Sequence, residues 1–172
     1  KLMIEQMEKY LDDGYQWIEL GQTDGYIPSD DPLDIAINPD PIERTWIFHR
    51  QLAEEMQKLR PGKKVVIISY GPTKNPPKSF THFPDNVIIE MTGYSADDFK
   101  KWAPFGNIPK TVYLYNWGSY HVTGFTPLRT PQYVSDEARL FHQYNVRGVY
   151  TDGNFERLRL EGRVFYVFGK MV

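Results

Sequence analysis

Lys64-Val65-Val66-Ile67-Ile68-Ser69-Tyr70 is the stretch whose reading decides the fold class. Val65 to Ile68 are all β-branched, and no polar residue interrupts them. A strand with one wet face alternates apolar and polar positions at period two, whereas a strand covered on both faces reads as a continuous apolar run. Such strands belong to parallel sheets packed between helices. The run empties into Gly71-Pro72-Thr73-Lys74-Asn75-Pro76-Pro77, whose glycine and prolines end it.

Outward from this strand the same unit recurs. Ile4, Met7, Tyr10 and Leu11 are spaced by three and four, which predicts a helix over Ile4–Leu11 that stops at Gly14. A first strand, Tyr15–Leu20, follows it and opens into Gly21-Gln22-Thr23-Asp24-Gly25-Tyr26, then into a loop rich in Pro and Asp as far as Pro41. Loops of that length are often functional. A helix over Ile42–Leu59, with Trp46, Ile47, Leu52, Met56 and Leu59 directed to a core, ends at Pro61-Gly62.

Downstream, a third strand, Asn86–Met91, leads through Thr92-Gly93-Tyr94 to a short helix over Asp97–Trp102, with Ser95 as its N-cap. Lys110–Asn116 is the fourth strand, and Pro131–Tyr144 the helix behind it with Pro131 in its first turn. The fifth strand is Arg147–Asp152. Gly162–Val172 fits a strand or a helix, and its place in the series favours a helix.

Five strand-then-helix units define an α/β chain with a parallel sheet, either a (β/α) barrel segment or a doubly wound sheet. The barrel is preferred, because no G-x-G-x-x-G turn follows the first strand and no G-x-x-x-x-G-K-[ST] occurs anywhere. A closed barrel uses eight units and about 250 residues. Residues 1–172 are therefore expected to be one domain, the C-terminal part of a (β/α)8 barrel, with about three units preceding Lys1.

Composition narrows the function. Twenty Lys and Arg against 22 Asp and Glu give a net charge of −2, and no run of five like charges offers a nucleic-acid arm or a membrane patch. No apolar stretch approaches the roughly 18 residues of a membrane span, and no charged-then-apolar leader appears. With no cysteine in the chain there is no disulfide or thiolate chemistry. Aromatic residues make up 15% of the chain, with 12 tyrosines. Core packing accounts for most such residues, but Tyr and Trp on loops are also what sugar rings stack on.

In a parallel barrel the working face lies at the carboxyl ends of the strands. The residues leaving the strands are Gln22 with Asp24, then Tyr70, then Glu90 with Tyr94. Tyr115, Asn116, Trp117 and His121 follow the fourth strand, and Asp152, Asn154 and Glu156 the fifth. Carboxylates recur on three strand ends. Glycoside hydrolysis uses two, one to protonate the leaving oxygen and one to activate water or attack. Asp24 before Gly25, and Asp152 before Gly153, read equally as turn residues, and Glu156 as a solvated loop charge. Glu90, inside an apolar run, must face the barrel mouth or pair with a buried cation. The histidines His49, His82, His121 and His142 show neither H-x-H nor H-E-x-x-H spacing, no serine lies in G-x-S-x-G, and no metal or cofactor is expected.

Five strings carry a family resemblance: Trp17-Ile18-Glu19-Leu20-Gly21-Gln22-Thr23-Asp24-Gly25, Lys64 to Pro72, Pro84 to Glu90, Val112 to Gly118, and Leu160 to Val167. In order and content they resemble an uncharacterised bacterial family, a domain of unknown function related to α-glucuronidase-like and hexosaminidase-like glycoside hydrolase barrels. The resemblance implies that the first strand here is the fourth of the barrel, so that the five units are strands four to eight. It places Asp24 where related hydrolases carry an acidic catalytic group and Glu90 at the end of the sixth strand, with Asp152 or Glu156 in reserve. That family often has cysteines soon after its Asp-Gly pair, whereas Tyr26-Ile27-Pro28-Ser29-Asp30-Asp31-Pro32 stands here. A metal or disulfide at that point is therefore not expected. The resemblance also implies a secreted or periplasmic setting.

The expected function is hydrolysis of glycosidic bonds in uronic-acid or amino-sugar glycans, with a carbohydrate as the partner and neither nucleic acid nor membrane. The alternatives are a non-catalytic glycan-binding module and a scaffold for a site built by other units.

Overall fold

The computed structural model describes residues 1–115, 129–152 and 158–171. The chain divides into two compact units, Lys1–Pro109 and Lys110–Val172.

The first unit begins with helix α1, Leu2–Asp12, which stops before Gly14 at φ +102°, a conformation glycine adopts freely. Strand β1, Trp17–Leu20, follows. The connection expected to be loop as far as Pro41 contains a helix, α2, Pro32–Ile37. Asp31 caps it by accepting from the Leu33 N–H at 2.8 Å, and Pro32 sits at the first helical position, where a missing N–H costs nothing. Apolar periodicity does not signal this helix because it buries none of its residues.

Helix α3, Pro41–Leu59, is capped by Asp40, which accepts from the Ile42 N–H. Its buried stripe includes Glu43, Trp46, His49, Ala53 and Met56, one face at three and four spacing. Two residues expected to point inward differ. Ile47 is half-buried, and Leu59, in the last turn, is 49% exposed. Strand β2, Lys64–Ser69, runs into a 3-10 turn, Gly71–Lys74. Strand β3, Val87–Met91, is buried throughout and leads to helix α4, Ala96–Lys101. Ser95 caps α4 in a reciprocal capping box with Asp98.

β1 pairs with β2 and β2 with β3, both parallel. Register and alternation sort their side chains onto two faces. Ile18, Leu20, Val65, Ile67, Ser69, Val87, Ile89 and Met91 share one face and are all buried. The other carries Trp17 and Glu19, both exposed, then Val66, Ile68, Ile88 and Glu90. Trp46 is fully buried, with its ring 5.7 Å from that of Trp102 and 5.8 Å from that of Phe83. Its indole N–H donates to the Asn75 carbonyl at 3.1 Å, so the polar end of the ring is satisfied inside the core.

The second unit holds strand β4, Lys110–Tyr115, helix α5, Pro131–Gln143, strand β5, Val146–Asp152, and helix α6, Leu158–Met171. β4 and β5 are parallel, with a register irregularity between Lys110 and Thr111. Thr130 caps α5 by accepting from the Tyr133 N–H. The C-terminal segment that fitted strand or helix is helical, and His142 of α5 meets the Met171 carbonyl of α6 at 2.9 Å.

The chain is thus α/β: five strands alternate with helices, and each of these pairings is parallel. Among the described residues, no helix is long and apolar enough to cross a membrane.

Candidate functional site

The site of the first unit is built from the residues that leave β1, β2 and β3 at their carboxyl ends. Gly21 ends β1 against β2, and a Cβ there would come within 2.6 Å of the Ile68 Cγ2 methyl. Only glycine leaves room for this approach. Gln22 then reaches across to the turn after β2. Its side-chain amide donates to the Tyr70 carbonyl and, at 2.9 Å, to Thr73 Oγ1. Thr73 is fully buried, and its hydroxyl also donates to the Tyr70 carbonyl at 2.9 Å. Two strand ends are therefore tied by side-chain hydrogen bonds beyond the last ladder pair.

This tie brings Asp24 to Tyr70. The Tyr70 phenol donates to Asp24 Oδ1 at 2.7 Å, an ordinary O–H···O length at an exposed position. Tyr70 continues β2 in extended conformation, at φ −139° and ψ 150°. It lies two residues beyond Ile68, which is the register partner of Glu90. Strand spacing and rise then put the Tyr70 and Glu90 Cα atoms about 8 Å apart on one face. Glu90 is 8% exposed, between Ile89 and Met91 on a strand with no exposed residue. A tyrosine hydroxyl bound to an exposed carboxylate, with a nearly enclosed carboxyl group one strand over, is an arrangement able to move protons.

The remaining expected residues fall as follows. Tyr94 is half-buried in the β3–α4 loop. Tyr115 is 41% exposed at the end of β4, with its ring 5.0 Å from that of Tyr113, which in turn lies 4.8 Å from that of Tyr150. Asp152 is the register partner of Tyr115 at the end of β5, and only its backbone is described. Asn116, Trp117, His121, Asn154 and Glu156 lie outside the described residues. Among the described residues, no group of three His, Cys, Asp or Glu gathers as a metal site would require.

Sequence reading missed the residues that hold the long β1–α3 connection in place. Arg44 of α3 donates to the Asn38 carbonyl at 2.9 Å and to the Ser29 carbonyl at 2.6 Å. Thr45 Oγ1 donates to the Tyr26 hydroxyl at 3.0 Å. Nearby, His49 is 5% exposed, and burial pushes its imidazole down to about 4, so the ring is neutral at physiological pH. A signal existed in the sequence: His49 stands on the stripe of Trp46, Ala53 and Met56, which makes it a core-facing imidazole.

Neither a family model nor a curated protein sequence matches the chain. Among solved structures, the chain is similar to a mutant of the O-GlcNAc hydrolase of Thermobaculum terrenum, with a TM-score of 0.59 and 13% sequence identity. The likeness covers 98% of this chain and 38% of that one, so the chain spans well under half the length of its structural neighbour. At that identity the likeness shows the fold alone, an α/β arrangement shared with part of that hydrolase.

Proposed function

We propose that the protein acts on glycosidic bonds, as part of a (β/α)8 barrel in which its strands take the fourth to eighth positions. The observation that carries the reading is the Tyr70–Asp24 hydrogen bond, with Glu90 on the same sheet face one strand away. Glu90, nearly enclosed, is the group suited to bring a proton to the leaving oxygen. Asp24, facing water and accepting from Tyr70, is suited to the charged role opposite it. Asp152 and Glu156 are the reserve carboxylates. The similarity to an O-GlcNAc hydrolase supports an amino-sugar glycan, and a uronic-acid glycan is the companion possibility.

The test is hydrolysis of a panel of aryl glycosides by Asp24→Asn and Glu90→Gln, with glycan binding measured in parallel. Loss of turnover with binding retained in both supports the reading. Turnover that survives either substitution removes that residue from the chemistry. A second reading, a non-catalytic glycan-binding module, is favoured by the exposed Tyr115 ring set against Tyr113. It predicts binding without turnover in the unsubstituted protein.

A further inference from the structure

Apart from the strand-end carboxylates, the first unit holds a cleft of about 410 Å³ between the β1–α2 connection, α2 and α3. Its size falls at the lower end of small-ligand sites. Gln22 and Tyr26 line it from the connection, Asp34 from α2, and Arg44, Phe48, His49 and Gln51 from α3. The walls have the mixed character that sugars require. Phe48 is 48% exposed and offers an open aromatic face, as does the half-buried Tyr26 ring.

The polar groups of the cleft are balanced in charge and partly committed. The Arg44 guanidinium is held by the Asn38 and Ser29 carbonyls, and Asp34 is the one acid on the lining. No net positive charge remains to select an anion. His49 adds a buried imidazole, and its Nδ1 is one of three buried side-chain polar atoms without a hydrogen-bond partner among the described residues. A buried polar atom left unpaired is costly, and because Nδ1 is closed off from solvent a hydroxyl in the cleft reaches it by a turn of the ring at the cleft wall.

We propose that this cleft is a binding site for an uncharged pyranose, which stacks on Phe48 and hydrogen-bonds to His49 and to the amide of Gln51. That the ligand is a sugar rests on the glycan reading of the protein, and the cleft then holds a sugar residue remote from the bond that is cut. Gln22 is the link in chain order: it lines the cleft, ties β1 to Tyr70, and lies two residues before Asp24. Occupancy of the cleft therefore bears on the segment that carries Asp24.

The experiment is nitrogen-15 NMR of the His49 ring in the intact protein, titrated with methyl β-N-acetylglucosaminide as the neutral probe and with glucuronate as the anionic one. A saturable shift of the His49 resonances with the neutral probe, weakened several-fold in Phe48→Ala and in Gln51→Ala, is the expected result. No shift, a shift unchanged in both variants, or a response to glucuronate alone overturns the proposal. Phe48 and Gln51 both face solvent, so the fold tolerates their loss. Turnover assayed beside the titration, both on the unsubstituted protein, separates the two ideas. Failure of the hydrolase reading appears as absent turnover with the His49 shift intact, whereas failure of the cleft removes the shift and leaves turnover on an aryl monosaccharide.

Discussion

The Tyr70 hydroxyl lies 2.7 Å from Oδ1 of Asp24, a residue 46 positions earlier in the chain. Gln22 and Thr73 hold the two strand ends that make this contact possible. If the pair is catalytic, Asp24→Asn lowers kcat by about 10²–10⁴-fold, the usual scale for a positioned acid or base. Tyr70→Phe keeps the carboxylate and removes one donor, so it lowers kcat by about tenfold. Because the pair is exposed, both substitutions change unfolding free energy by less than about 1 kcal/mol. Steady-state kinetics and urea unfolding of the two variants check this. A large stability loss with unchanged kcat would make the pair a structural clasp.

Glu43 is a structural carboxylate. It is buried on α3 and accepts the backbone N–H groups of Lys78 and Ser79 at 2.8–3.1 Å. Glu43→Ala leaves two donors unpaired and is expected to cost about 2–3 kcal/mol, while Glu43→Gln, which keeps one acceptor oxygen, costs less. Urea denaturation midpoints measure the difference, and equal effects of the two substitutions would show that the acceptor oxygens are not what matters.

His49 makes stability depend on pH. Its folded pKa, about 4, lies below the ordinary value of 6.5 because burial disfavours the charged ring. Between those two values the unfolded chain binds more protons than the folded one, so stability rises with pH across that window. Above about pH 7 the contribution is fully present. It falls as pH drops below 6.5 and levels off below about 4, by up to roughly 3 kcal/mol. His49→Phe should flatten the stability profile between pH 4 and 6.5, measured by thermal unfolding. A profile as steep as that of the unsubstituted protein would assign the dependence to other groups.

Gly21 is required by its neighbour rather than by its backbone angle. A Cβ at this position would lie 2.6 Å from Ile68 Cγ2, so Gly21→Ala is expected to destabilise by about 1–3 kcal/mol. Removing the opposing methyl with Ile68→Ala should recover part of that cost in the double variant. A double-mutant cycle in urea reads the coupling directly, and additive effects would place the strain elsewhere.

Strands and long helices were legible because each has a local cause. The β-branched run Val65–Ile68 and the stripe of Trp46, Ala53 and Met56 carry their periods in the sequence itself, and Ser95 caps α4 as its position implied. The α2 helix escaped because it buries nothing, so only the Asp31-Pro32 cap marked it. Of the expected site, Gln22, Asp24 and Tyr70 come together. The partners of Glu43 and the surroundings of His49 had no local trace, since each depends on chain more than 25 residues away or on the packing of a connection over a helix.

The sequence by itself determined the α/β class and the parallel sense of the strands. Apolar period and strand-to-helix alternation are local properties, and they leave few ways to bury the resulting faces. Only the tertiary structure decided which polar side chains meet. Asp24 reaches Tyr70 because Gly21 admits Ile68 and Gln22 bonds across to the turn after β2. Those contacts join residues some 46 to 51 positions apart, and the closure of such loops is specified by packing between strands.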